Sequence, residues 1–152
     1  MKNMKLMLVD DEERFLETTS KLLTKKGIDV ITATSGSSAL EQLFVRSDIH
    51  VVILDVKMPG MDGIETLKQI KANYPLVEVI MLTGHGTMDS AIDGLKSGAT
   101  DYLLKPADID DLILCAKAAY EKRQLLEEKI RMAQNRSFMK SPREIIKQSY
   151  SE

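Results

Sequence analysis

Short apolar runs alternate with helical patterns through the first 120 or so residues, and this alternation is the feature that most limits the fold. The runs are KLMLV (5–9), IDVITA (28–33), VVILD (51–55), VEVIMLT (77–83) and TDYLL (100–104). Each run has the length of a strand, and the intervals between them carry apolar residues at helical spacing. Strands that alternate with helices are joined by right-handed crossovers, which produce a parallel sheet covered on both faces. The pattern therefore predicts a doubly wound α/β domain.

The helix ends are marked by capping residues. Gly27 can end the first helix in a left-handed conformation, Ser35 and Asp62 can cap the second and third, and the fifth starts near Asp108. The residues at helical spacing are Phe15, Thr19, Leu22, Leu23 and Lys26; Ala39, Leu40 and Leu43; Ile64, Leu67 and Ile70; and Met88, Ala91, Ile92 and Leu95. We expect these residues to line their helices.

Composition excludes several classes of protein. A chain of 152 residues suffices for one domain and a tail, and a net charge of −2 indicates neither nucleic-acid binding nor an acidic disordered chain. No apolar run approaches the length of a membrane span. The single cysteine, Cys115, excludes an intramolecular disulfide and favours the cytoplasm.

Charged and hydroxyl residues stand where the predicted strands end. In chain order they are Asp10, Asp11, Asp55, Thr83 and Lys105. Ligands of doubly wound sheets bind beyond the carboxyl ends of the strands. Taken singly, each residue has an ordinary interpretation: a helix cap, a turn, a strand threonine or a solvated lysine. Together, on one rim of one sheet, they predict a site.

If the first and third strands are neighbours, Asp10, Asp11 and Asp55 converge. Like charges at such distances cannot all ionise at low cost, and a divalent cation removes the repulsion. Mg²⁺ prefers carboxylate oxygens, keeps several waters and leaves room for a phosphate oxygen; the Lys57 carbonyl could complete its shell. A carboxylate beside Mg²⁺, with a hydroxyl and an ammonium nearby, can accept a phosphoryl group. No candidate general acid follows Asp55 directly, so slow turnover is expected.

Four motifs, MLVDDEE, VVILDVKMPGMDGIETL, VIMLTGHG and GATDYLLKP, resemble the receiver domain of bacterial two-component response regulators over about residues 4–120. The resemblance implies a flavodoxin-like strand order of 2-1-3-4-5, a histidine kinase or phosphotransfer protein as donor, and a cis Lys105-Pro106 bond. It also implies the role of each motif residue. These are phosphoacceptor Asp55, Mg²⁺ ligands Asp10, Asp11 and Asp55 with the carbonyl of Lys57, catalytic Lys105 and Thr83, and switch residues Thr83 and Tyr102.

By this resemblance the receiver domain covers residues 1–122, and 123–152 form a helical extension and tail. The unknown output partner would be a protein, with no membrane or direct nucleic-acid contact. The chain is then either a complete single-domain regulator or the receiver part of a longer protein, and a predicted short helix from Ser141 slightly favours the former. A 4-3 spacing in the fifth helix predicts either weak homodimerisation or a frayed amphipathic end. Its members are Leu112, Ala116, Ala119, Arg123, Leu126, Ile130 and Ala133.

Two other classes share parts of the pattern. Haloacid-dehalogenase-like phosphohydrolases also phosphorylate an aspartate but need a second Asp two residues later, where this chain has Lys57. Flavodoxin-like FMN carriers need a Ser/Thr/Gly phosphate loop after the first strand, where this chain has four acids. Both are therefore weaker alternatives.

Overall fold

A computed structural model of the chain describes residues 4–56, 62–84 and 88–139. Five parallel strands form one sheet in the order β2-β1-β3-β4-β5. In chain order the elements are β1 (Lys5–Val9), α1 (Glu13–Lys25), β2 (Asp29–Ala33), α2 (Gly36–Val45), β3 (Val51–Asp55), α3 (Gly63–Asn73), β4 (Glu78–Thr83), α4 (Met88–Lys96), β5 (Asp101–Leu104) and α5 (Ile109–Met139). The predicted fold class, strand order and long C-terminal helix are confirmed.

The predicted caps explain where the first three helices begin or end. Ser35 Oγ accepts a hydrogen bond from the Ser38 amide at 3.0 Å, and Asp62 Oδ1 accepts one from the Glu65 amide at 2.8 Å. Gly27 follows α1 with a φ of +86°, in the left-handed region that a glycine adopts without strain.

The central strand β3 is buried along its whole length, as its unbroken apolar sequence predicts for a parallel sheet with two covered faces. One face packs against residues of α1 and α5, including Leu23 and Ala116. The other packs against α2 and α3, including Leu43 and Leu67. The sheet therefore holds the ends of β1 and β3 at its centre, between two cores.

The expected lining residues are only partly right in two helices. In α1, Leu16 is buried while Leu22 is 42% exposed, and Lys26 lies beyond the helix end. Three of the five expected residues nevertheless face the core, because Thr19 and Leu23 are buried and Phe15 packs against it. In α4, Ile92 and Leu95 are each more than 40% exposed. This helix contacts β4, β5 and α3, so it covers the edge of the sheet and leaves part of its apolar face in solvent.

Helix α5 has a domain-bound half and a projecting half. Its residues up to Tyr120 contribute to the core. Arg123 anchors the helix beyond Tyr120, because its Nη1 donates to the Ile49 carbonyl at 2.7 Å; its Nε lies 2.6 Å from Glu127 Oε1 in the same helix. Within the described helices, none is long and apolar enough to cross a membrane. The predicted helix from Ser141 lies outside the described residues.

Candidate functional site

The carboxyl ends of β1 and β3 bring three aspartates together. Val9 pairs with Leu54, so Asp10 and Asp55 leave neighbouring strands at the same edge. Asp10, Asp11 and Asp55 each offer a carboxylate oxygen, and these oxygens lie within 4.8 Å of one another. Asp10 and Asp55 are buried, whereas Asp11 is exposed. This is the acidic pocket predicted from the strand ends.

The backbone on both sides of the pocket is tightly held. The Asp10 amide donates to the Ala33 carbonyl, and Asp10 Oδ1 accepts from the Glu12 amide at 3.0 Å, which turns the chain into α1. Beyond Asp55, the Val56 amide donates to the Leu82 carbonyl, and the Val56 carbonyl accepts from Gly63. Asp10 and Asp55 are thus positioned by the sheet and by the first turns of α1 and α3.

Lys105 enters the pocket from the end of β5. Its amide donates to the Thr83 carbonyl at 2.6 Å, and the following peptide bond to Pro106 is cis, as the resemblance implies. Its Nζ lies 2.6 Å from Asp10 Oδ2 and 3.8 Å from Asp55 Oδ1. The ammonium is therefore placed between two buried carboxylates and contacts Asp10 most closely.

Two further groups surround the same ammonium. Glu12 Oε1 lies 3.7 Å from Lys105 Nζ, and the centroid of the Phe15 ring lies 4.8 Å from it. Burial by itself lowers the pKa of Lys105, but the Asp10 hydrogen bond and the charges of Asp55, Asp10 and Glu12 outweigh it. The net pKa is raised, so Lys105 is a cation at neutral pH.

Thr83 and Tyr102 lie on one face of the sheet. Tyr102 pairs with Met81, two residues before Thr83, and paired residues of parallel strands share a face, as do residues two apart. Thr83 is buried, and its Oγ1 lies 3.5 Å from the Leu103 carbonyl, which is long for a hydrogen bond. Tyr102 is half-buried against the core that contains Met81. Thr83 and Tyr102 thus lie on the same face near the carboxyl ends of β4 and β5.

The structure gathers Asp10, Asp11, Asp55 and Lys105 as the sequence predicts, whereas Lys57 lies outside the described residues. The contacts of Glu12 and Phe15 with Lys105 were not predicted from the sequence. Phe15 was assigned to a helix lining, and its spacing of four residues from Asp11 was the only signal of a role near the pocket.

The donor set of the pocket fits a hard divalent cation. All three converging groups are carboxylates, and Mg²⁺ prefers oxygen ligands with one or two carboxylates among them. Two of the carboxylates are buried, where unneutralised charge is costly, and Lys105 supplies only one positive charge. The described residues thus provide an acidic pocket with a nearby ammonium, which is suited to binding a cation and a phosphoryl group.

Comparison with known proteins places this geometry in a family. The sequence profile described as "Response regulator receiver domain" matches residues 6–117. The chain belongs to this receiver family of two-component response regulators. A solved response regulator receiver domain protein from Clostridium thermocellum is 39% identical, with a TM-score of 0.78 over 81% of this chain and 98% of that one. This family is distinct from the haloacid-dehalogenase-like phosphohydrolases and the flavodoxin-like FMN carriers that were considered from the sequence.

The chain is also similar in sequence to part of several transcriptional regulators. The transcriptional regulatory protein ZraR of Escherichia coli (strain K12) is 42% identical over 72% of this chain and 25% of its own length. The DNA-binding transcriptional regulator NtrC of Klebsiella pneumoniae is 39% identical over 70% of this chain and 22% of its own length. The receiver therefore spans about a quarter of the length of these relatives.

Proposed function

We propose that this receiver accepts a phosphoryl group on Asp55 from a histidine kinase or a phosphotransfer protein, and that the acyl phosphate switches a protein-interaction surface. The observation that carries the proposal is the position of Asp55. It is a buried carboxylate at the end of the central strand, with the Asp10 carboxylate on one side and the Lys105 ammonium 3.8 Å away.

In the proposed reaction an oxygen of Asp55 attacks the phosphorus of a phosphohistidine. A P–O bond forms while the P–N bond breaks, and the imidazole leaves with the bonding electron pair and takes up a proton from solvent. Lys105 approaches from the β5 side and donates to the transferred oxygens, which stabilises their charge. The catalytic contribution of Lys105 is thus electrostatic and needs no proton transfer.

The proposed metal ligands are Asp10, Asp11, Asp55 and the Lys57 carbonyl, of which Lys57 lies outside the described residues. When bound, Mg²⁺ would neutralise the carboxylates and coordinate an oxygen of the incoming phosphoryl group. The three aspartates support this assignment because their charge would otherwise repel an anionic donor.

The proposed switch uses Thr83 and Tyr102. Among the described residues, Thr83 Oγ1 has a long 3.5 Å contact with the Leu103 carbonyl, so its hydroxyl can turn toward a phosphoryl oxygen. That movement vacates space on the face that Tyr102 shares, and the Tyr102 ring would turn inward. The affected surface would be that of α4, β5 and α5, where Leu104 is already 55% exposed.

We further propose the scope of this activity. The receiver assists its own phosphorylation and slow dephosphorylation without turning over a separate substrate. Its domain comprises residues 1–122, and 123–152 form an extension that supports homodimerisation. An unidentified protein receives the output. A cytoplasmic location is proposed on the family and on the single free cysteine.

The test is phosphorylation of the whole chain by a small acyl phosphate with Mg²⁺, followed by mass spectrometry. The wild type should gain one phosphoryl group, and Asp55→Asn should gain none, because an amide oxygen is a far weaker nucleophile. Asp48→Asn is the matched control, since Asp48 is an exposed aspartate that pairs with Lys5 outside the acidic pocket. Undiminished labelling of Asp55→Asn, or labelling in the presence of a chelator, would contradict the proposal.

A further inference from the structure

We propose that Phe15 is a positioning residue, whose ring keeps the Lys105 ammonium at the acidic pocket when a cation competes for the Asp10 carboxylate. The inference rests on the proposed function of the pocket. It adds a side chain from α1 to a site otherwise made from the ends of the strands.

The first observation is the geometry of the contact. Lys105 Nζ lies 4.8 Å from the centroid of the Phe15 ring, inside the ~6 Å within which a cation is attracted to a ring face. The ring itself is held in place, because Phe15 is half-buried and packs against the core beneath α1 and α5. Phe15 therefore offers a fixed, neutral surface to a flexible ammonium.

The second observation is a conflict over Asp10. Lys105 Nζ makes its shortest contact with Asp10 Oδ2, at 2.6 Å, while Asp10 Oδ1 accepts from the Glu12 amide. Asp10 also belongs to the cluster of three aspartates that fits a cation. A cation on this carboxylate weakens the attraction that holds Lys105 and adds repulsion between two positive groups. Lys105 must therefore depend on its remaining contacts when the pocket is loaded.

Those remaining contacts differ in kind. The Asp55 carboxylate, 3.8 Å away, is itself a candidate ligand, and Glu12, 3.7 Å away, is largely exposed. Attraction to Glu12 would draw the ammonium toward solvent and is weakened by water. The Phe15 ring is neutral and is not a ligand of the bound cation, so its attraction for the Lys105 ammonium persists. The ring thus favours the inward position of Lys105 near Asp55.

The test measures binding of beryllofluoride, a phosphoryl mimic, to the full chain at saturating Mg²⁺ by calorimetry. Phe15→Leu removes the π face and keeps an apolar side chain, so binding should weaken roughly fivefold, in the range of a partly buried cation–π contact. Phe15→Tyr keeps the face and should restore binding to near the wild-type value. Phe44→Leu changes a phenylalanine that is 83% exposed in α2 and should have no effect.

A second measurement reports on the contact itself. The ε-methylene protons of Lys105 should show an upfield ring-current shift in NMR spectra of the wild type, and the shift should persist when Mg²⁺ is added. It should be absent from Phe15→Leu and present in Phe15→Tyr. Core packing alone would not produce this pattern, because it does not require the ammonium to stay over the ring.

The outcomes separate the two proposals. Two outcomes would overturn the role of Phe15 alone, provided that the wild type binds beryllofluoride. In the first, Phe15→Leu binds as tightly as the wild type; in the second, Phe15→Tyr binds as weakly as Phe15→Leu. Loss of the wild-type ring-current shift on addition of Mg²⁺ would overturn it too, even if Phe15→Leu failed to fold. A wild type that binds no beryllofluoride with Mg²⁺ would contradict the proposed function and the role of Phe15 together.

Discussion

His50 is a half-buried polar contact at the end of the sheet opposite the acidic pocket. Its Nδ1 accepts a hydrogen bond from the Lys5 amide at 3.0 Å, and its ring packs edge-on against Tyr120 with centroids 5.0 Å apart. Burial, followed by the nearby Arg123 guanidinium, lowers the pKa of His50 despite the opposing charges of Glu127 and Asp48. The folded chain therefore prefers the neutral imidazole.

This preference predicts that acid destabilises the receiver near the ordinary pKa of histidine. Because the folded pKa lies below the unfolded value of 6.5, the stabilisation is fully present above about pH 6.5. It is lost as the pH falls from about 6.5 through the folded pKa, because over that range the unfolded chain binds a proton that the folded chain does not. Urea midpoints measured between about pH 7.5 and 5.5 should fall for the wild type.

The matched variant is His50→Asn, which keeps an acceptor near the Lys5 amide but does not titrate. It should show a flatter dependence of the urea midpoint on pH than the wild type. Equal slopes in the two proteins would assign the acid sensitivity to other groups and contradict this account of His50.

The residues whose convergence the sequence predicted share one property. Asp10, Asp55 and Lys105 are close because the carboxyl ends of parallel strands share an edge, a rule that needs only strand positions and strand order. Phe15 and His50 obey no such rule. Their contacts depend on the rotation of α1 and on which ring faces which backbone amide, and those details are set by packing in three dimensions.

At the scale of elements, the start of α3 presses directly on the end of β3. A Cβ built on Gly63 would lie 2.5 Å from both the Asp55 carbonyl oxygen and the Val56 Cα. Both obstacles are backbone atoms, so relief requires α3 to move away from the strand that carries Asp55. Gly63 is therefore required by close approach, since its neighbours leave no room for a side chain.

We expect Gly63→Ala to destabilise the receiver by about 3 kcal/mol, the upper part of the usual range for overpacking. Urea unfolding of the whole chain measures this cost. Gly94→Ala in α4 is the control, because its Cβ would meet only the flexible end of Met81. A cost for Gly63→Ala equal to or below that of Gly94→Ala would show that α3 can shift easily.

The position and orientation of a helix or strand could be predicted from the sequence where the element is completely buried, but not where it is only partly buried. The apolar run of β3 identifies a central strand, and the capping residues of α2 and α3 locate their starts. The orientation of helix α4 could not be predicted from its sequence. The spacing of Ile92 and Leu95 predicts a buried face, but both residues are exposed. The exposure arises because the helix lies over the edge of the sheet. The strand order determines which helix covers that edge.

At the scale of the whole molecule, the projecting half of α5 is the part of the described chain with least contact to the domain. Arg123 occupies a position of the predicted seam, but it is bound to the Ile49 carbonyl of its own domain and is not available to a partner. Beyond it, Leu126 and Ile130 are each 39% exposed. A seam between two chains would therefore begin at Leu126, with fewer contacts than the spacing alone predicts.

The pattern around this seam favours a parallel pair. In heptad terms Leu126 takes the d position and Ile130 the a position, a combination that favours two parallel strands. Lys122 and Glu127 fall at g and e, but each already has a partner in its own chain, since Glu127 Oε1 lies 2.6 Å from Arg123 Nε and Lys122 Nζ lies 4.0 Å from Glu78 Oε2. Because so few apolar residues contribute, we expect weak association that strengthens when a phosphoryl mimic changes the neighbouring surface of α4, β5 and α5.

Sedimentation of the whole chain and of a version ending at Arg123, each with and without beryllofluoride and Mg²⁺, tests this expectation. The whole chain should associate more strongly than the shortened one. The double variant Leu126→Ser with Ile130→Ser should sediment like the shortened chain, because it removes the apolar seam and keeps the helix. Leu125→Ser with Met132→Ser is the matched control, since both residues are exposed on α5 but lie outside the seam. Equal masses for both chain lengths under both conditions, or equal effects of the two double variants, would remove the seam from any role in association.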